Sequence, residues 1–364
     1  MSTSDDLLRE TATRVFADTS TFAAVERAEA EGWAPEIWAA VAETGLAWVS
    51  VPETAGGSGG SLADALEVLR VAGRHSVPLP LAETAVLGGW LLGGAGLTVP
   101  SAPVTVVPGT RRDDLSLRGG VLYGSAYRIP WARAVDEIVV LTSDRTTPMV
   151  AVVDRADVDI EPAVNLAGEP RDSVVFDAVT PRALAPAGRG VNGESLQLRG
   201  ALSRVAMMAG ALERLSELTV EYTDGRRQFG KAVGSFQAVQ AHLVHGAQDA
   251  VMVAVALAAA TRATETSSAR FEITAAKVLA DQAASTATRH AHQAHGAMGM
   301  TREYPLHHLS RRLWSWRSEF GDERRGSRAL GEVVVAAGAD RLYPLITGGS
   351  RALDVAHPGA ADHT

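Results

Sequence analysis

The stretch Arg226-Arg-Gln-Phe-Gly-Lys-Ala-Val-Gly-Ser-Phe-Gln-Ala-Val-Gln240 is a basic turn between two long alanine-rich segments. On its N-terminal side, apolar residues recur at every third or fourth position from Leu202 to Tyr222, which predicts an amphipathic helix. Gly225 suits the C-terminus of that helix. Helical periodicity resumes after the turn and continues to a threonine-rich break at residues 264–268. The turn therefore connects two helices of an α-helical domain.

The turn has the spacing Arg-x-x-Phe-Gly and then Phe-Gln-x-x-Gln, which resembles the flavin-binding turn of the acyl-CoA dehydrogenase family. The matching residues are Arg226, Phe229, Gly230, Phe236, Gln237 and Gln240. A second segment, Gln293-Ala-His-Gly-Ala-Met-Gly-Met-Thr-Arg-Glu-Tyr-Pro305, resembles the family's glycine-rich signature and follows in the family's order. Taken singly, the first motif is also compatible with a surface loop between helices, and the second with a glycine-rich helix end. Together they indicate the family more strongly than either does alone.

The resemblance implies that the cofactor is FAD and that these two motifs bind it. Arg226 would meet the pyrophosphate, Phe229 and Phe236 would enclose the adenine end, and Gln237 and Gln293 would make polar contacts along the cofactor. Gly296 and Ala297 would allow close approach, with Ala297 standing where the family usually has glycine. In the family these residues reach the flavin of a neighbouring subunit. The resemblance therefore implies an oligomer.

The family's reaction, α,β-desaturation of an acyl-CoA thioester, needs a carboxylate base for the α-proton. The usual base position aligns with Phe320, and the other known position falls in Arg199-Gly-Ala-Leu202, which contains no glutamate. Glu319 is the candidate base, since a small backbone shift would bring it into use. The alternative, which the sequence favours, is that Glu319 and Glu323 are solvated charges at a helix end.

Bulk composition predicts a globular, cytoplasmic protein. The chain has 364 residues, 46% hydrophobic and 21% charged, with a net charge of -8, so we expect no nucleic-acid partner. It has no cysteine, which excludes disulfides and thiol chemistry. The first residues lack a signal-peptide pattern, and the longest apolar segment, Val251–Ala260, is about half of a membrane span, so we expect no membrane insertion. We predict no metal site at the histidines considered, because no cysteine or spaced acidic ligand accompanies them: His290, His292, His295, His307 and His308.

The predicted fold class is mainly α with a small β domain. We expect an N-terminal helical domain over residues 1–96, a reduced β-barrel-like middle domain over 97–190, a C-terminal four-helix bundle over 191–345 and a flexible tail over 346–364. Residues 32–60 also resemble the family's N-terminal domain, and glycine-rich residues 56–60 predict a flexible connection to a helix capped near Ser61. The predicted strands are Val104 to Val107, Val121 to Tyr123, Ile138 to Leu141, Pro148 to Val153 and Val174 to Phe176.

The middle domain departs from the family pattern. Its usual Thr-Glu-Pro-x-x-Gly-Ser-Asp loop is absent, and Arg128-Ile-Pro-Trp131 stands where the family has a flavin-contacting strand. Pro130 has no N–H to donate there, although residues 129–141 still resemble the family's central strand pair.

These departures resemble the partner subunits of actinobacterial heteromeric acyl-CoA dehydrogenases that act on steroid side chains. We therefore expect a subunit that completes the FAD site of a second acyl-CoA dehydrogenase chain. One alternative is a self-sufficient homo-oligomer that uses Glu319 as its base, and another is a structural subunit without flavin. An acyl-CoA thioester is the expected substrate, and an electron-transfer flavoprotein is a possible further partner.

Overall fold

The computed structural model describes residues 3–266 and 269–351. The chain begins with four helices, a turn of π-helix at Ala82–Gly88 and a short fifth helix. The helices are α1 (Thr3–Thr19), α2 (Phe22–Glu31), α3 (Pro35–Glu43), α4 (Leu62–Arg74) and α5 (Gly89–Gly94). Ser61 starts α4 with a reciprocal capping box, in which its Oγ accepts from Asp64 N and its own N–H donates to the Asp64 carboxylate. The predicted cap at Ser61 is confirmed.

The glycine-rich segment before α4 is packed, so the prediction of a flexible connection over residues 56–60 is wrong. A Cβ atom on Gly57 would lie 2.2 Å from the carbonyl oxygen of Val51, and one on Gly60 would lie 2.8 Å from that of Val49. Gly59 N donates to Val51 O, and Gly60 N donates to Val49 O, both at 2.8 Å. Glycine is needed here because two backbone segments lie in contact.

The middle of the chain forms two four-stranded sheets with the strand orders β1-β4-β5-β8 and β2-β3-β7-β6. The strands are β1 (Val104–Val106), β2 (Asp114–Arg118), β3 (Val121–Pro130), β4 (Glu137–Asp144), β5 (Thr147–Asp154), β6 (Asp159–Glu161), β7 (Arg171–Val179) and β8 (Ala183–Pro186). Each predicted strand is present, and most run longer than predicted. The sequence missed β2, β6 and β8, which carry polar residues or proline and are short.

The resemblance of residues 129–141 to a central strand pair is misleading, because β3 and β4 belong to different sheets. β3 ends at Pro130, and Trp131 then adopts a left-handed backbone with φ 49°. A single 3-10 turn at Ala132–Ala134 follows and redirects the chain. Pro130 is still held in place, since its carbonyl oxygen accepts a hydrogen bond from Thr105 Oγ1.

The C-terminal half is helical. Its helices are α6 (Gly193–Gly225), α7 (Gln237–Ala263), α8 (Arg270–His295), α9 (Leu306–Trp316), α10 (Glu323–Ala337) and α11 (Leu342–Gly348). α6 is longer than predicted because Asn192 caps it reciprocally with Ser195. α9 begins directly after Pro305, the last residue of the second motif. Helices α6 to α9 pack together, which confirms the predicted fold class of a mainly α protein with a small β region.

The N-terminal helices pack closely on α6. A Cβ atom on Gly73 of α4 would lie 2.0 Å from the carbonyl oxygen of Met207, and one on Gly210 of α6 would lie 1.7 Å from that of Arg70. Ion pairs flank this contact, with Arg70 Nη1 2.6 Å from a Glu213 oxygen. The absence of side chains at the two glycines lets α4 and α6 approach within backbone contact.

α7 packs by one face on α6 and α8 and exposes the other. The large exposed apolar residues of this outward face are Val244, Val251, Met252 and Val255. Among the described helices, α7 is the one long and apolar enough to cross a membrane, judged by length and composition alone. The sequence-based estimate of Val251–Ala260 as the apolar segment was therefore too short. The buried residues on the opposite face belong to the core shared with the other C-terminal helices.

The segment from residue 346 onward was predicted to be a flexible tail. Its first residues instead complete α11 and return to α8, where Ser350 N and Oγ donate to Glu272 Oε1 at 2.6 and 2.8 Å. That part of the prediction is wrong because an acceptor on α8 holds the chain. Residues 352–364 lie outside the described part of the chain.

Candidate flavin half-site and the buried ion network

The basic turn between α6 and α7 is a two-residue hairpin, formed by β9 (Arg227–Gln228) and β10 (Lys231–Ala232). Its tip is Phe229-Gly230, and both residues have positive φ, 51° and 81°. Such a turn suits asparagine or glycine, so a phenylalanine there is strained. Phe229 is also 91% exposed. A strained and exposed aromatic residue at a hairpin tip marks a position where a ligand or another chain is expected to cover it.

The predicted flavin-contacting residues of the turn lie around Phe229. Phe236 meets it edge-on with ring centroids 6.2 Å apart, and Lys231 Nζ lies 4.2 Å from the centroid of the Phe236 ring. Arg226 and Gln237 are exposed, and Arg226 makes no ion pair with any other described residue. The turn therefore presents two rings and three exposed cations, Arg226, Arg227 and Lys231. Lys231 was not singled out in the sequence, although it follows Phe229-Gly230 directly.

The second motif closes α8. Gly296 caps the helix with φ 60°, and a Cβ atom at this glycine would meet nothing within 4 Å. Gln293 and Ala297 flank it and are exposed. An approaching ligand would find the side-chain amide of Gln293 and an unobstructed backbone at Gly296.

An aromatic cluster that was not predicted from the sequence brings the two motifs together. The ring of Tyr222, one helical turn before Arg226, stacks on His295 with centroids 4.4 Å apart. Tyr304 meets both of these rings, at 5.4 Å from Tyr222 and 5.1 Å from His295. Tyr222 lies four residues before Arg226, and this helical spacing could have indicated from the sequence that Tyr222 lies near the site.

In Arg128–Trp131, which stands where the family has its flavin-contacting strand, Arg128 is exposed and the other three residues are buried. Trp131 is 2% exposed, and the guanidinium of Arg171 lies 4.9 Å from the centroid of its indole. Arg171 is itself buried and held by its neighbours. The residues present therefore fit the pyrophosphate and adenine end of FAD, where cations and open rings are exposed. At the flavin-ring end, Pro130 has no N–H to donate to the cofactor.

Glu319 lies buried between two arginines. Its Oε1 accepts from Arg171 Nε at 2.7 Å, and its Oε2 accepts from Arg204 Nε at 2.7 Å and from Arg171 Nη2 at 3.2 Å. The side chain is 9% exposed. The interpretation of Glu319 as a solvated charge is therefore wrong. It does describe Glu323, whose side chain is 40% exposed and lies 3.7 Å from Arg317.

The ion pairs of Glu319 belong to a longer buried network that joins distant parts of the chain. Arg204 on α6 also donates to Glu83 in the π-helical turn, and Arg171 donates to Glu169 Oε2 at 2.9 Å. Glu169 in turn accepts from Trp316 Nε1 at 3.1 Å. Farther along, Arg312 lies 3.7 Å from Glu169 and 2.8 Å from Glu29 of α2. No local pattern signals these partners, because each pair except Arg171–Glu169 is far apart in the chain.

The network fixes the charge of its carboxylates. Burial alone would raise the pKa of Glu319, but the charges and hydrogen bonds of Arg171 and Arg204 overcome it and lower that pKa to about 2. Burial likewise opposes ionisation of Glu29, whose pKa is lowered to about 2 by His308, Arg312 and Arg311. Both groups are carboxylates throughout the neutral range.

Phe320, at the family's base position, fills space beside the network. Its backbone has φ 53°, and a Cβ atom on Gly200 of α6 would lie 2.2 Å from its ring. The guanidinium of Arg204 lies 5.4 Å from the centroid of the ring. A cavity of about 240 Å³ adjoins Phe320 and is lined by Ile273 and Lys277, among others. Two carboxylates, Glu194 and Asp322, also line this cavity. At the other known base position, Arg199–Leu202, Arg199 Nε donates to Val86 O.

The histidines fall into separate groups. His307 and His308 lie with Glu26 near α2, but Arg311 Nη2 is 3.1 Å from His307 Nδ1 and His307 Nε2 is 3.0 Å from Arg302 O. The arginine can only donate, so the ring proton is on Nε2 and neither nitrogen offers a lone pair to a metal ion. A second group, on α7 and α8, consists of His242, His245 and His290.

Comparison with known proteins identifies the family. The model of the acyl-CoA dehydrogenase N-terminal domain matches residues 2–96, and that of the C-terminal domain matches residues 194–323. Acyl-CoA dehydrogenase IpdE2 of Mycobacterium tuberculosis (strain ATCC 25618 / H37Rv) is 30% identical over 304 residues, which cover 83% of this chain and 88% of that protein. The chain belongs to the acyl-CoA dehydrogenase family. This family consists of oxidoreductases of fatty acid and steroid catabolism, and FAD is its typical cofactor.

Solved acyl-CoA dehydrogenases have the same fold. The ChsE4-ChsE5 complex from Mycobacterium tuberculosis matches with a TM-score of 0.83 and 20% identity, covering 93% of this chain and 99% of that one. A variant of the Tcur3481-Tcur3483 steroid ACAD matches with a TM-score of 0.82 and 22% identity, covering 92% and 98%. At these identities the likeness establishes the acyl-CoA dehydrogenase fold. The burial of Trp131 and the ion pairs of Glu319 are features of this chain itself.

Proposed function

We propose that this chain is the partner subunit of a heteromeric, FAD-dependent acyl-CoA dehydrogenase. It supplies the pyrophosphate and adenine half of a flavin site to a second subunit, which carries the catalytic base. The observation that supports this most directly is the position of Glu319 between Arg171 and Arg204. The candidate base Glu319 is thus already held in a structural ion network.

A general base works best when its pKa lies near the operating pH and when it can reach the proton it removes. The pKa of Glu319 is about 2, so its conjugate acid is far too strong for this role. Both of its oxygens accept hydrogen bonds from arginines. Releasing one oxygen toward a substrate would leave a buried guanidinium without its partner, which is strongly unfavourable. Glu319 therefore acts as a structural counter-ion in the proposed function.

The exposed hairpin and the end of α8 form this chain's contribution to the flavin site. FAD, when bound, accepts the hydride that leaves the β-carbon of the acyl group. Arg226 pairs with the pyrophosphate, and the open backbone at Gly296 gives it close approach. Phe229 and Phe236 enclose the adenine, which covers the exposed ring of Phe229. Binding of FAD thus buries an aromatic surface that is exposed in the chain alone.

The partner is a second acyl-CoA dehydrogenase subunit. Structural neighbours of this chain include the ChsE4-ChsE5 complex and a steroid acyl-CoA dehydrogenase with two named components, which supports a heteromeric assembly and a steroid-derived acyl-CoA as substrate. The outward face of α7, with Val244, Val251 and Val255, supplies an apolar contact surface next to the hairpin. An obligate interface of this kind buries about 2,000 Å² or more.

Co-expression tests the proposal. The chain is produced alone and together with acyl-CoA dehydrogenases encoded beside it, and each product is purified by gel filtration and examined for flavin absorbance. We expect flavin only in a hetero-oligomer, with bleaching on addition of an acyl-CoA. Retention of FAD by the chain alone, followed by bleaching with an acyl-CoA, would establish the self-sufficient homo-oligomer instead. A hetero-oligomer without any flavin would establish the structural subunit.

A further inference from the structure

The histidine group on α7 and α8 is separate from the flavin-binding residues and from the ion network. His242 and His245 are three residues apart on α7 and so share one face of the helix. His290 projects from the adjacent turn of α8 and meets both of them. The five histidines weighed in the sequence did not include the two from α7, so this grouping became visible only in the structure.

Two of these rings approach each other through their nitrogen atoms. The Nδ1 atoms of His242 and His290 lie 2.8 Å apart. Two nitrogen ligands of a tetrahedral zinc ion, each about 2.0–2.1 Å from the metal, lie about 3.3 Å apart. The observed 2.8 Å is a hydrogen-bond distance, so the two rings would move apart by about 0.5 Å to hold one ion. At present the two nitrogens can share one proton, and moving that proton to the other nitrogen of its ring leaves a lone pair on each Nδ1 for a metal ion.

A third imidazole and a carboxylate lie beside these two rings. The ring of His245 stacks on His290 with centroids 4.9 Å apart and an interplanar angle of 20°. His245 is exposed, so its ring can turn its edge toward the same point. Asp249 lies one helical turn further along α7, and its Oδ2 accepts from Thr286 Oγ1 of α8 at 2.6 Å. Its negative charge favours a cation at this position.

The surroundings of the histidine group on α7 and α8 differ from those of His307 and His308 in one respect. There an arginine donates to a ring nitrogen and leaves no lone pair for a metal ion. Among the described residues, no arginine or lysine donates a hydrogen bond to His242, His245 or His290. Arg289 is the nearby cation, and it is exposed on the surface of α8.

We propose that His242, His245 and His290 form a surface site for a borderline divalent transition-metal ion such as Zn²⁺, with water in the fourth position. Imidazole nitrogen suits Zn²⁺, Ni²⁺ and Cu²⁺, whereas Mg²⁺ and Ca²⁺ prefer oxygen. The ion joins α7 to α8 beside the outward face of α7. This inference does not depend on the proposed catalytic partnership.

The test uses tag-free, full-length protein, together with any partner subunit that copurifies. Zn²⁺ binding is measured by isothermal titration calorimetry, and Co²⁺ serves as a second probe because its visible absorption reports a tetrahedral site. We expect one ion per chain in the wild type. His290→Gln and His245→Gln should each weaken binding by about tenfold or more, because each removes a ligand. The matched control, His307→Gln in the other histidine group, should leave the affinity unchanged.

Thermal unfolding of the metal-free variants shows whether they remain folded, and both altered histidines lie at the surface. If a variant unfolds early, His242→Gln is tested in its place. Three results would overturn the proposal: no binding to folded wild-type protein, binding unaffected by both His290→Gln and His245→Gln, or loss of binding in His307→Gln.

Discussion

The substitution Glu319→Gln tests whether the role of the Glu319 carboxylate is structural or catalytic. The substitution keeps the shape of the side chain and removes the charge that two buried arginines share. Arg204 then retains Glu83, and Arg171 retains Glu169. The loss should therefore fall near the lower end of the range of about 3–5 kcal/mol that accompanies removal of one member of a buried ion pair.

The pKa of Glu319 gives a second measure of the same loss. A fall from the ordinary value of 4.5 to about 2 corresponds to roughly 3 kcal/mol of stability at neutral pH. Because the folded-state pKa is the lower one, this contribution is present above pH 4.5 and is lost as the pH falls toward 2. The difference in unfolding free energy between wild type and variant should shrink over the same interval.

The assay is urea unfolding at pH 7 and at fixed protein concentration, since assembly shifts the apparent stability. The control is Glu323→Gln, which alters an exposed carboxylate beside Arg317 and should change stability by less than about 0.5 kcal/mol. If Glu319→Gln is as stable as wild type but lowers turnover by a factor of about 10² to 10⁴, Glu319 is the base and the proposed division of labour is refuted.

Three further outcomes follow from the structure. Arg226→Ala should weaken FAD retention by one to two decades, the equivalent of about 1.5–3 kcal/mol for a charge-assisted contact; unchanged flavin absorbance after gel filtration of the complex would contradict the assigned role. Val255→Asp on the outward face of α7 should dissociate the assembly in light scattering while leaving the chain folded, and an intact assembly would exclude this face as the contact. Gly210→Ala should cost about 1–3 kcal/mol in urea unfolding because its methyl group would lie 1.7 Å from the carbonyl oxygen of Arg70. Its control, Gly246→Ala, meets nothing within 4 Å and should stabilise α7 by about 0.5–1 kcal/mol.

The sequence predicted the parts of the fold that depend on neighbouring residues. The long helices, the cap at Ser61 and the turn at Arg226 all follow from local periodicity or from a local motif. The strands that it missed are short and carry polar residues or proline, as in Asp159–Glu161. The pattern of residues 129–141 is misleading because a left-handed Trp131 sends two adjoining strands to different sheets. Backbone redirection by one residue has no signature in hydrophobic patterning.

The residues of the candidate site also fall into those that the sequence predicted and those that it could not. The flavin-facing residues were predicted because they lie in two contiguous motifs, although their binding of FAD stays a prediction. The state of Glu319 could not be predicted, because its partners Arg171 and Arg204 lie 148 and 115 residues away along the chain. A glutamate beside arginines in sequence looks like a solvated charge, and only the folded chain shows which arginines it meets.

In the proposed function, the buried ion network gives the Glu319 carboxylate a structural role within the family fold. Buried ion pairs are not generally more stabilising than well-packed apolar residues, so stability alone does not explain them. What the network does is join α2, the π-helical turn, the β region and α6 through residues that each require a specific partner. It thereby fixes how these parts lie against one another. The hairpin at the far end of α6 is then held on a rigid support, which is what a subunit needs if it presents half of a flavin site to another chain.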